Sequence, residues 1–289
     1  MSATTAVNTF VTWLYVPGDR PDVVAKALRS GADVVLVDLE DAVAPGRKAY
    51  ARDATAELLA DPAPGPVPVH VRVNALDGPL AEREIRALAP LPGLAGLRLP
   101  KVTDRAALHR VAAWAGADAG GREAVPPLYA LLESALGVEH AFEIATGHPA
   151  LHGIALGEAD LRADLGVAAV SAASGLGYAR GRAVVAARAA GLAPPPQSVY
   201  PDVRDTQGLA RSCAEGRALG FLGRTAIHPR QLAVIESAYR PSPEEIDAAR
   251  EIVTAAATDA GALALPDGRF VDPAVVAEAE RTLRLAERL

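Results

Sequence analysis

The chain has 289 residues, half of them hydrophobic, which is enough for one large α/β barrel or two smaller domains with a sizeable core. Its 29 basic and 35 acidic residues give a net charge of −6 without a basic stripe, so nucleic acid is not an expected partner. The single cysteine, Cys213, excludes an internal disulfide and fits a reducing compartment.

Residues 1–10 have neither the charged start nor the continuous apolar run of a secretory signal. No later run approaches the roughly 20 apolar residues that span a bilayer. We therefore expect a soluble cytoplasmic protein with no membrane partner.

Short runs rich in Val, Leu and Ile alternate with Ala-rich segments of helical period as far as about residue 239. This alternation predicts parallel strands joined by helical crossovers. The predicted strands are Thr12 to Val16, Val34 to Leu39, Val67 to Val73, Gly96 to Pro100, Leu128 to Leu132, Gly153 to Leu156, Gln197 to Tyr200 and Thr225 to Ile227. The predicted helices are Pro21 to Ser30, Arg47 to Leu59, Leu80 to Leu88, Arg105 to Ala115, Val138 to Thr146, Gly177 to Ala190 and Gln207 to Leu219. About eight β/α units predict a TIM barrel over residues 1–240.

The segment Leu161 to Gly175 has Gly and Ser breaks and is equally consistent with a loop carrying a short helix. After residue 240 the pattern changes, and residues 241–289 are predicted to form a C-terminal helical extension. Ser242 is predicted to N-cap a helix to about Ala260, with Glu245 as its capping-box partner. After the linker GALALPDGRF, Asp272 and Pro273 are predicted to open a last helix that runs to Leu289.

Polar side chains follow nearly every predicted strand, where a barrel of this kind opens into its active site. They lie in Pro17-Gly-Asp-Arg20, Asp38-Leu-Glu-Asp41, Arg72-Val-Asn74, Lys101, Glu133, Glu158 with Asp160, Asp202, and His228-Pro229. For any single one, a helix cap or a solvated loop charge is the better explanation. Together they favour a site.

Glu133 and Asp160 follow neighbouring strands, which would put both carboxylates at the same end of the barrel. With one nearby His and no usable Cys, oxygen-only ligation favours Mg²⁺ or Mn²⁺ over Zn²⁺. Glu133 and Asp160 are the predicted metal ligands, with Glu40 or Asp41 holding a metal-bound water. Alternatively, Glu133 is a helix N-terminal carboxylate and Asp160 an N-cap.

Several blocks carry a family resemblance over about residues 12 to 285. They are LYVPGDRPDVVAKALRSGADVVLVDLEDAV, VHVRVN, LRLPK, YALLESALGV, ALGEADLRADLG, DTQGL with LGFLGRTAIHPRQ, and DGRFVDP. In this order they resemble the HpcH/HpaI aldolase and citrate lyase β-subunit family, most of all its CoA-ester branch, because of the segment DGRFVDP. The chain departs from common family residues at Leu156, Arg224 and Phe270.

The resemblance implies roles for residues in the matching blocks. Glu133 and Asp160 match the Mg²⁺ ligands, and Arg72 matches the arginine that contacts a substrate oxygen. Asp272 matches an aspartate that acts as acid or base, often in an adjacent subunit's site within a trimer or hexamer. Tyr15, Arg20, Lys26 and His228 lie in blocks on the CoA-thioester side. For Lys26 a solvated charge is a strong alternative, because a lysine on the first helix is usually only that.

The implied reaction is Mg²⁺-dependent cleavage of a carboxylated 3-hydroxyacyl-CoA, such as malyl-, citramalyl- or citryl-CoA, into a 2-oxo acid and an acyl-CoA. Three alternatives stay open: thioester hydrolysis or malate-synthase-like condensation at the same site, a non-catalytic or complex-dependent β-like subunit, and a metal aldolase acting on free hydroxy-acids.

Overall fold

A computed structural model describes residues 10–116, 125–258, 263–264 and 268–288. The chain divides into two compact units, Met1–Ile235 and Glu236–Leu289. No helix among the described residues is both long enough and apolar enough to cross a membrane.

Unit 1 is built on a parallel sheet of seven strands, in the order β6-β5-β4-β3-β2-β1-β7. The strands are β1 (Thr12–Pro17), β2 (Val34–Asp38), β3 (Val69–Arg72), β4 (Leu94–Leu99), β5 (Leu128–Leu132), β6 (Leu151–Leu156) and β7 (Arg224–Ala226). Strand β2 is buried along its whole length, as expected for a parallel sheet covered on both faces. Because every neighbouring pair is parallel, the carboxyl ends of all seven strands lie at one end of the sheet.

The predicted strand Gln197 to Tyr200 is wrong, since only Gln197 forms a β-bridge, with Arg224 of β7. Prolines at 194–196 precede it and have no N–H groups for a ladder. On the other side, the Ser198 hydroxyl donates a hydrogen bond to the Leu156 carbonyl at the end of β6. Gln197 and Ser198 thus connect the two edge strands of the sheet and close the ring with one bridge and one side chain.

Apart from the helix Leu232–Tyr239, which was not predicted, the helices of the barrel lie in or overlap the predicted segments, mostly with shorter ends. They are α1 (Pro21–Ala27), α2 (Lys48–Leu59), α3 (Ala81–Leu88), α4 (Arg105–Trp114), α5 (Ala135–Glu139), α6 (Ala141–Ala145), α7 (Glu158–Leu165), α8 (Ala172–Gly175), α9 (Gly177–Ala189), α10 (Thr206–Ala218) and α11 (Leu232–Tyr239). The single helix predicted over Val138 to Thr146 is divided at His140 into α5 and α6. The ambiguous segment Leu161 to Gly175 contains most of α7, which ends at Gly166 with φ 68°, a short 3₁₀ turn and α8.

Unit 2 contains α12 (Pro243–Thr258), a two-residue antiparallel pairing of β8 (Leu263–Ala264) with β9 (Phe270–Val271), and α13 (Pro273–Arg288). The predicted capping box is confirmed: Glu245 N–H donates to Ser242 Oγ at 3.2 Å, and Ser242 N–H donates to Glu245 Oε2 at 2.7 Å. The predicted N-cap of α13 is confirmed as well, because Asp272 Oδ1 accepts hydrogen bonds from two backbone N–H groups, both at 2.9 Å. The predicted helix ends at Ala260 and Leu289 lie outside the described residues.

Candidate active site

Three carboxylates interact at the carboxyl ends of the strands. Glu40 lies two residues beyond β2, Glu133 follows β5 directly, and Asp160 lies in the first turn of α7, after β6. The pKa of Glu133 is raised to about 8, first by burial and then by the negative charges of Glu40 and Asp160. The fold therefore brings the two predicted metal ligands within electrostatic reach of each other.

Glu133 is 5% exposed, and its Oε2 accepts a hydrogen bond from the backbone N–H of Lys101 at 3.0 Å. Lys101 adopts φ 54° and is the one non-glycine residue with positive φ in the described part of the chain. Its Nζ also lies 3.4 Å from Oε1 of Glu40. As the alternative for Glu133 also requires, Glu133 directly precedes the N-cap of α5, whose capping group is the hydroxyl of Ser134.

Gly157, at the N-cap of α7, leaves the space that the Glu133 side chain occupies. A Cβ atom on residue 157 would stand 2.8 Å from the carboxyl carbon of Glu133 and closer still to Oε1. Because φ at Gly157 is −95°, the need for glycine here is steric and does not come from a left-handed backbone.

Asp160 is exposed and is the third residue of α7. The alternative that Asp160 is an N-cap is wrong, since Gly157 occupies the cap position. The start of α7 is held by Ser198, whose Oγ accepts a hydrogen bond from the Glu158 N–H at 3.1 Å. The Glu158 side chain also pairs with Arg180 through two hydrogen bonds of 2.8 and 2.7 Å. These contacts fix the turn that carries Asp160.

Arg72 at the end of β3 is fixed by Asp38 at the end of β2. Its Nε and Nη2 donate to the two Asp38 oxygens at 2.8 and 2.7 Å, in a bidentate pair that is almost wholly buried. The remaining nitrogen, Nη1, lies 3.0 Å from Glu40 Oε2 and 3.3 Å from Asp41 Oδ2. Burial opposes the charge of Arg72, but Asp38, Tyr15 and Glu40 together raise its pKa, so the guanidinium stays protonated.

Glu40 and Asp41, the predicted holders of a metal-bound water, differ in environment. Glu40 is 5% exposed, whereas the Asp41 side chain is 64% exposed. Burial and the neighbouring acids Asp41 and Asp38 raise the pKa of Glu40, and the cations of Arg72 and Lys101 lower it. Glu40 Oε2 has no hydrogen-bond partner among the described residues, because its ion pair with Arg72 lacks hydrogen-bond geometry. This oxygen can therefore accept a hydrogen bond.

A second buried network supports the loop after β2 and was not predicted from the sequence. Lys48 Nζ donates to the Leu39 carbonyl and to Asn74 Oδ1, both at 2.8 Å, and to the Glu40 carbonyl at 2.5 Å. Asn74 in turn donates its backbone N–H and its amide to the two oxygens of Glu84. Asn74 was noted as a strand-end residue. The sequence pattern did not indicate a buried role for Lys48 or Glu84, because a charged side chain on a helix is usually solvated.

Of the residues assigned to the CoA-thioester side, Tyr15 lies closest to the strand-end groups, with its ring centre 5.0 Å from Arg72 Cζ. Arg20 and Lys26 are exposed, and Lys26 makes a 3.8 Å surface pair with Asp22. His228 is half-buried, and its Nδ1 accepts the Arg230 N–H at 3.1 Å. Within the described residues, the side chains of these last three form no hydrogen bond or ion pair with Arg72 or Glu133.

The residues present fit a hard divalent cation. Two carboxylates and a nearby third suit Mg²⁺, which takes one or two protein carboxylates and keeps other positions for water and substrate. In the described part of the chain, no three or more His, Cys, Asp or Glu side chains are grouped so that together they could hold a metal ion.

Comparison with known proteins identifies the family of the chain. The sequence profile of the HpcH/HpaI aldolase/citrate lyase family matches residues 12–229. The chain belongs to this family. A second profile, a C–C bond lyase of the TIM-barrel fold, matches residues 185–286 and confirms both the predicted barrel and the predicted enzyme class, a carbon–carbon lyase.

Members of the family cover almost the whole chain. Citrate lyase subunit beta of Leuconostoc mesenteroides subsp. cremoris is 34% identical over 281 residues, which are 95% of this chain and 92% of that protein. A (3S)-malyl-CoA thioesterase of Cereibacter sphaeroides is 35% identical over 285 residues, 97% of this chain and 95% of that protein. The structure of CitE from Mycobacterium tuberculosis with magnesium, acetoacetate and coenzyme A has a TM-score of 0.80 and 33% identity, and the match covers 97% of this chain and 99% of that chain.

Proposed function

We propose that the protein is a Mg²⁺-dependent lyase acting on a carboxylated 3-hydroxyacyl-CoA, such as malyl-, citramalyl- or citryl-CoA. It cleaves this ester into a 2-oxo acid and an acyl-CoA, or catalyses the reverse condensation. The observation that carries the proposal is the buried Glu133 carboxylate, which the fold sets beside Glu40 and Asp160 and near the charged Arg72. The magnesium, acetoacetate and coenzyme A in the related CitE structure support it.

Glu133 and Asp160 would hold the cation, with Glu40 or Asp41 orienting one of its waters. When bound, the cation supplies Lewis-acid polarisation of substrate oxygens. Mn²⁺ has the same preference for oxygen ligands and is expected to substitute.

Arg72 is the residue best placed to stabilise negative charge on the substrate. Its Nε and Nη2 donate to Asp38, and Nη1, which lies near Glu40 and Asp41, is the nitrogen that would also donate to a substrate oxygen. Because Asp38 holds the guanidinium in place, no reorganisation is needed when charge develops on the substrate. Removing such a donor typically costs about 3 to 4 kcal/mol of barrier.

Asp272 would exchange the proton at the carbon next to the thioester. Both of its capping bonds use Oδ1, which leaves Oδ2 for proton transfer. We propose that the C-terminal extension, residues 241–289, brings Asp272 to the site of a neighbouring subunit in a homotrimer or hexamer located in the cytoplasm. Tyr15, Arg20, Lys26 and His228 would bind the CoA ester.

The test is to incubate the purified protein with a panel of 3-hydroxyacyl-CoA esters and Mg²⁺, and to identify both fragments. EDTA should abolish turnover, and so should Glu133→Ala and Arg72→Ala in proteins that keep the native circular dichroism spectrum. Glu82→Ala, on the exposed surface, is the control and should retain activity. Turnover that persists in EDTA would refute the proposal.

Thioester hydrolysis is the second candidate, because a (3S)-malyl-CoA thioesterase matches 97% of the chain at 35% identity. Hydrolysis releases free CoA with the hydroxy-acid intact, whereas cleavage releases acyl-CoA and a 2-oxo acid. Free CoA as the first product would favour the thioesterase. Activity of the purified single chain would exclude a β-like subunit that depends on partners, and a rise in melting temperature with CoA esters but not with free acids would exclude a simple aldolase.

A further inference from the structure

Four side chains fill the interior of the barrel on the side of the sheet that also carries Arg72. We call Trp13, His70, Arg98 and Tyr129 the interior cluster. Trp13, His70 and Tyr129 are each the second residue of their strand, and His70 precedes Arg72 by two residues on β3. Arg98 pairs in register with Tyr129 and with Arg72.

Arg98 is a buried cation with no counter-ion among the residues that the structure describes. It is 3% exposed, and its guanidinium lies 5.5 Å from the ring centre of Trp13 and 4.7 Å from that of Tyr129. No carboxylate within the described ranges forms an ion pair with it. Aromatic faces attract a cation, but a buried charge normally also has an anionic partner.

Polar atoms of the cluster lack hydrogen-bond partners. Arg98 Nε, Trp13 Nε1 and His70 Nδ1 are all buried and unpartnered among the described residues, and the three side chains are 3%, 6% and 1% exposed. Arg98 Nε and Trp13 Nε1 act only as donors, and His70 Nδ1 donates in one of its two tautomers. Buried donors in native proteins almost always have a partner, so three in one cluster indicate a bound species.

The neighbouring groups do not supply the missing negative charge. Burial raises the pKa of Tyr15 and of Tyr129, which keeps both phenols neutral. Burial lowers the pKa of His70 well below its ordinary value, so the imidazole is neutral as well. The cluster therefore carries the charge of Arg98 alone.

Gly96 keeps the edge of His70 uncovered. A Cβ atom on residue 96 would stand 3.1 Å from His70 Nδ1 and 2.9 Å from Tyr129 Cε2. Glycine therefore leaves the unpartnered nitrogen accessible inside the barrel.

We propose that the interior cluster binds a small monovalent anion, of the halide type, held by Arg98, Trp13 and His70. The anion neutralises Arg98 and accepts hydrogen bonds from the unpartnered donors. A water molecule would satisfy the donors but leave the charge unbalanced, so water alone is the competing outcome. The site lies inside the barrel, and anion binding there can be measured without an assay of the proposed lyase activity.

The first experiment is to collect anomalous diffraction from crystals of the full chain soaked in bromide. A bromide peak in contact with Arg98 and Trp13 is expected. The second is to measure the melting temperature while chloride replaces gluconate at constant ionic strength. The wild type should be stabilised as chloride increases, because the anion binds only the folded state.

Arg98→Met should abolish the chloride response and the bromide peak, whereas Arg86→Met, on the exposed surface, should keep both. If Arg98→Met does not fold, Trp13→Phe keeps an aromatic face and removes one donor, and it should weaken halide binding several-fold. A water peak without bromide, or an equal chloride response in the wild type and in the cluster variants, would overturn the proposal. An adventitious ion only, seen as a bromide peak with no chloride-dependent stabilisation, would also overturn the proposal.

Discussion

Gly157 and Glu133 share one space: the carboxyl carbon of Glu133 lies 2.8 Å from where a Cβ atom on residue 157 would stand. Gly157→Ala should therefore displace the carboxylate, and a shift of about 1 Å at a catalytic group can cost roughly 100-fold in rate. We expect a loss of that order in kcat/KM and weaker Mn²⁺ binding, measured by isothermal titration calorimetry. Gly181→Ala in α9, with nothing within 4 Å of the added Cβ, is the control. Equal behaviour of the two variants would contradict the steric argument.

The Asp38–Arg72 pair predicts a combined loss of stability and activity. Asp38→Asn removes the charge that balances Arg72 and turns an amide donor toward it, and breaking a buried ion pair costs about 3 to 5 kcal/mol. Activity should fall further, because the guanidinium is no longer fixed. Urea unfolding and steady-state kinetics would measure the two effects.

The control for Asp38→Asn is Glu82→Gln, which breaks an exposed pair with Arg86. A surface ion pair contributes at most about 1 kcal/mol. If Asp38→Asn were as mild as this control, Asp38 would not be what holds Arg72.

The raised pKa of Glu133 predicts a pH dependence that metal reverses. Its pKa rises from an ordinary value of 4.5 to about 8, so between these pH values the folded, metal-free protein holds a proton that the unfolded chain has lost. Stability of the metal-free protein should therefore fall as pH rises from about 4.5 to 8, and Glu133→Gln should flatten this slope. Urea unfolding across this range in EDTA measures it.

Metal binding requires the ionised carboxylate, so Mg²⁺ affinity should rise with pH up to about 8 and binding near neutral pH should release protons. Calorimetry in two buffers with different ionisation enthalpies would count those protons. A pH-independent affinity would mean that Glu133 is not a ligand.

Ser198 predicts a coupling between the closure of the barrel and the metal site. Ser198→Ala leaves the Leu156 carbonyl and the Glu158 N–H without their shared partner, at a cost of about 1 to 3 kcal/mol. Because the same turn carries Asp160, metal affinity should weaken as well. Ser174→Ala, which removes an exposed hydroxyl, should change neither quantity. Loss of stability with unchanged metal affinity would limit Ser198 to a structural role.

Much of the fold was predictable from local signals. The buried runs of β2 and β5 and the caps at Ser242 and Asp272 depend on residues close in sequence, and these predictions were confirmed. The strand predicted at Gln197 was wrong because strand formation depends on partners from distant parts of the chain, and here a side chain takes the place of the ladder.

The candidate site was predictable only in part. Parallel strand ends must converge, so the neighbouring placement of Glu133 and Asp160 could be expected from their spacing. The pairing of Arg72 with Asp38, the support of Glu40 by Lys48 and the left-handed conformation of Lys101 join residues many positions apart. No periodicity encodes such contacts.

One connection between neighbouring strands of the barrel differs from the others. Elsewhere neighbouring strands share a ladder of several backbone hydrogen bonds. The segment at Gln197 is joined to β7 by backbone hydrogen bonds as well, but to the end of β6 by the Ser198 hydroxyl. Cooperative opening starts where the fewest bonds must break together. Backbone amides at this connection should therefore exchange with deuterium first. The barrel would open transiently there, next to the turn that carries Asp160.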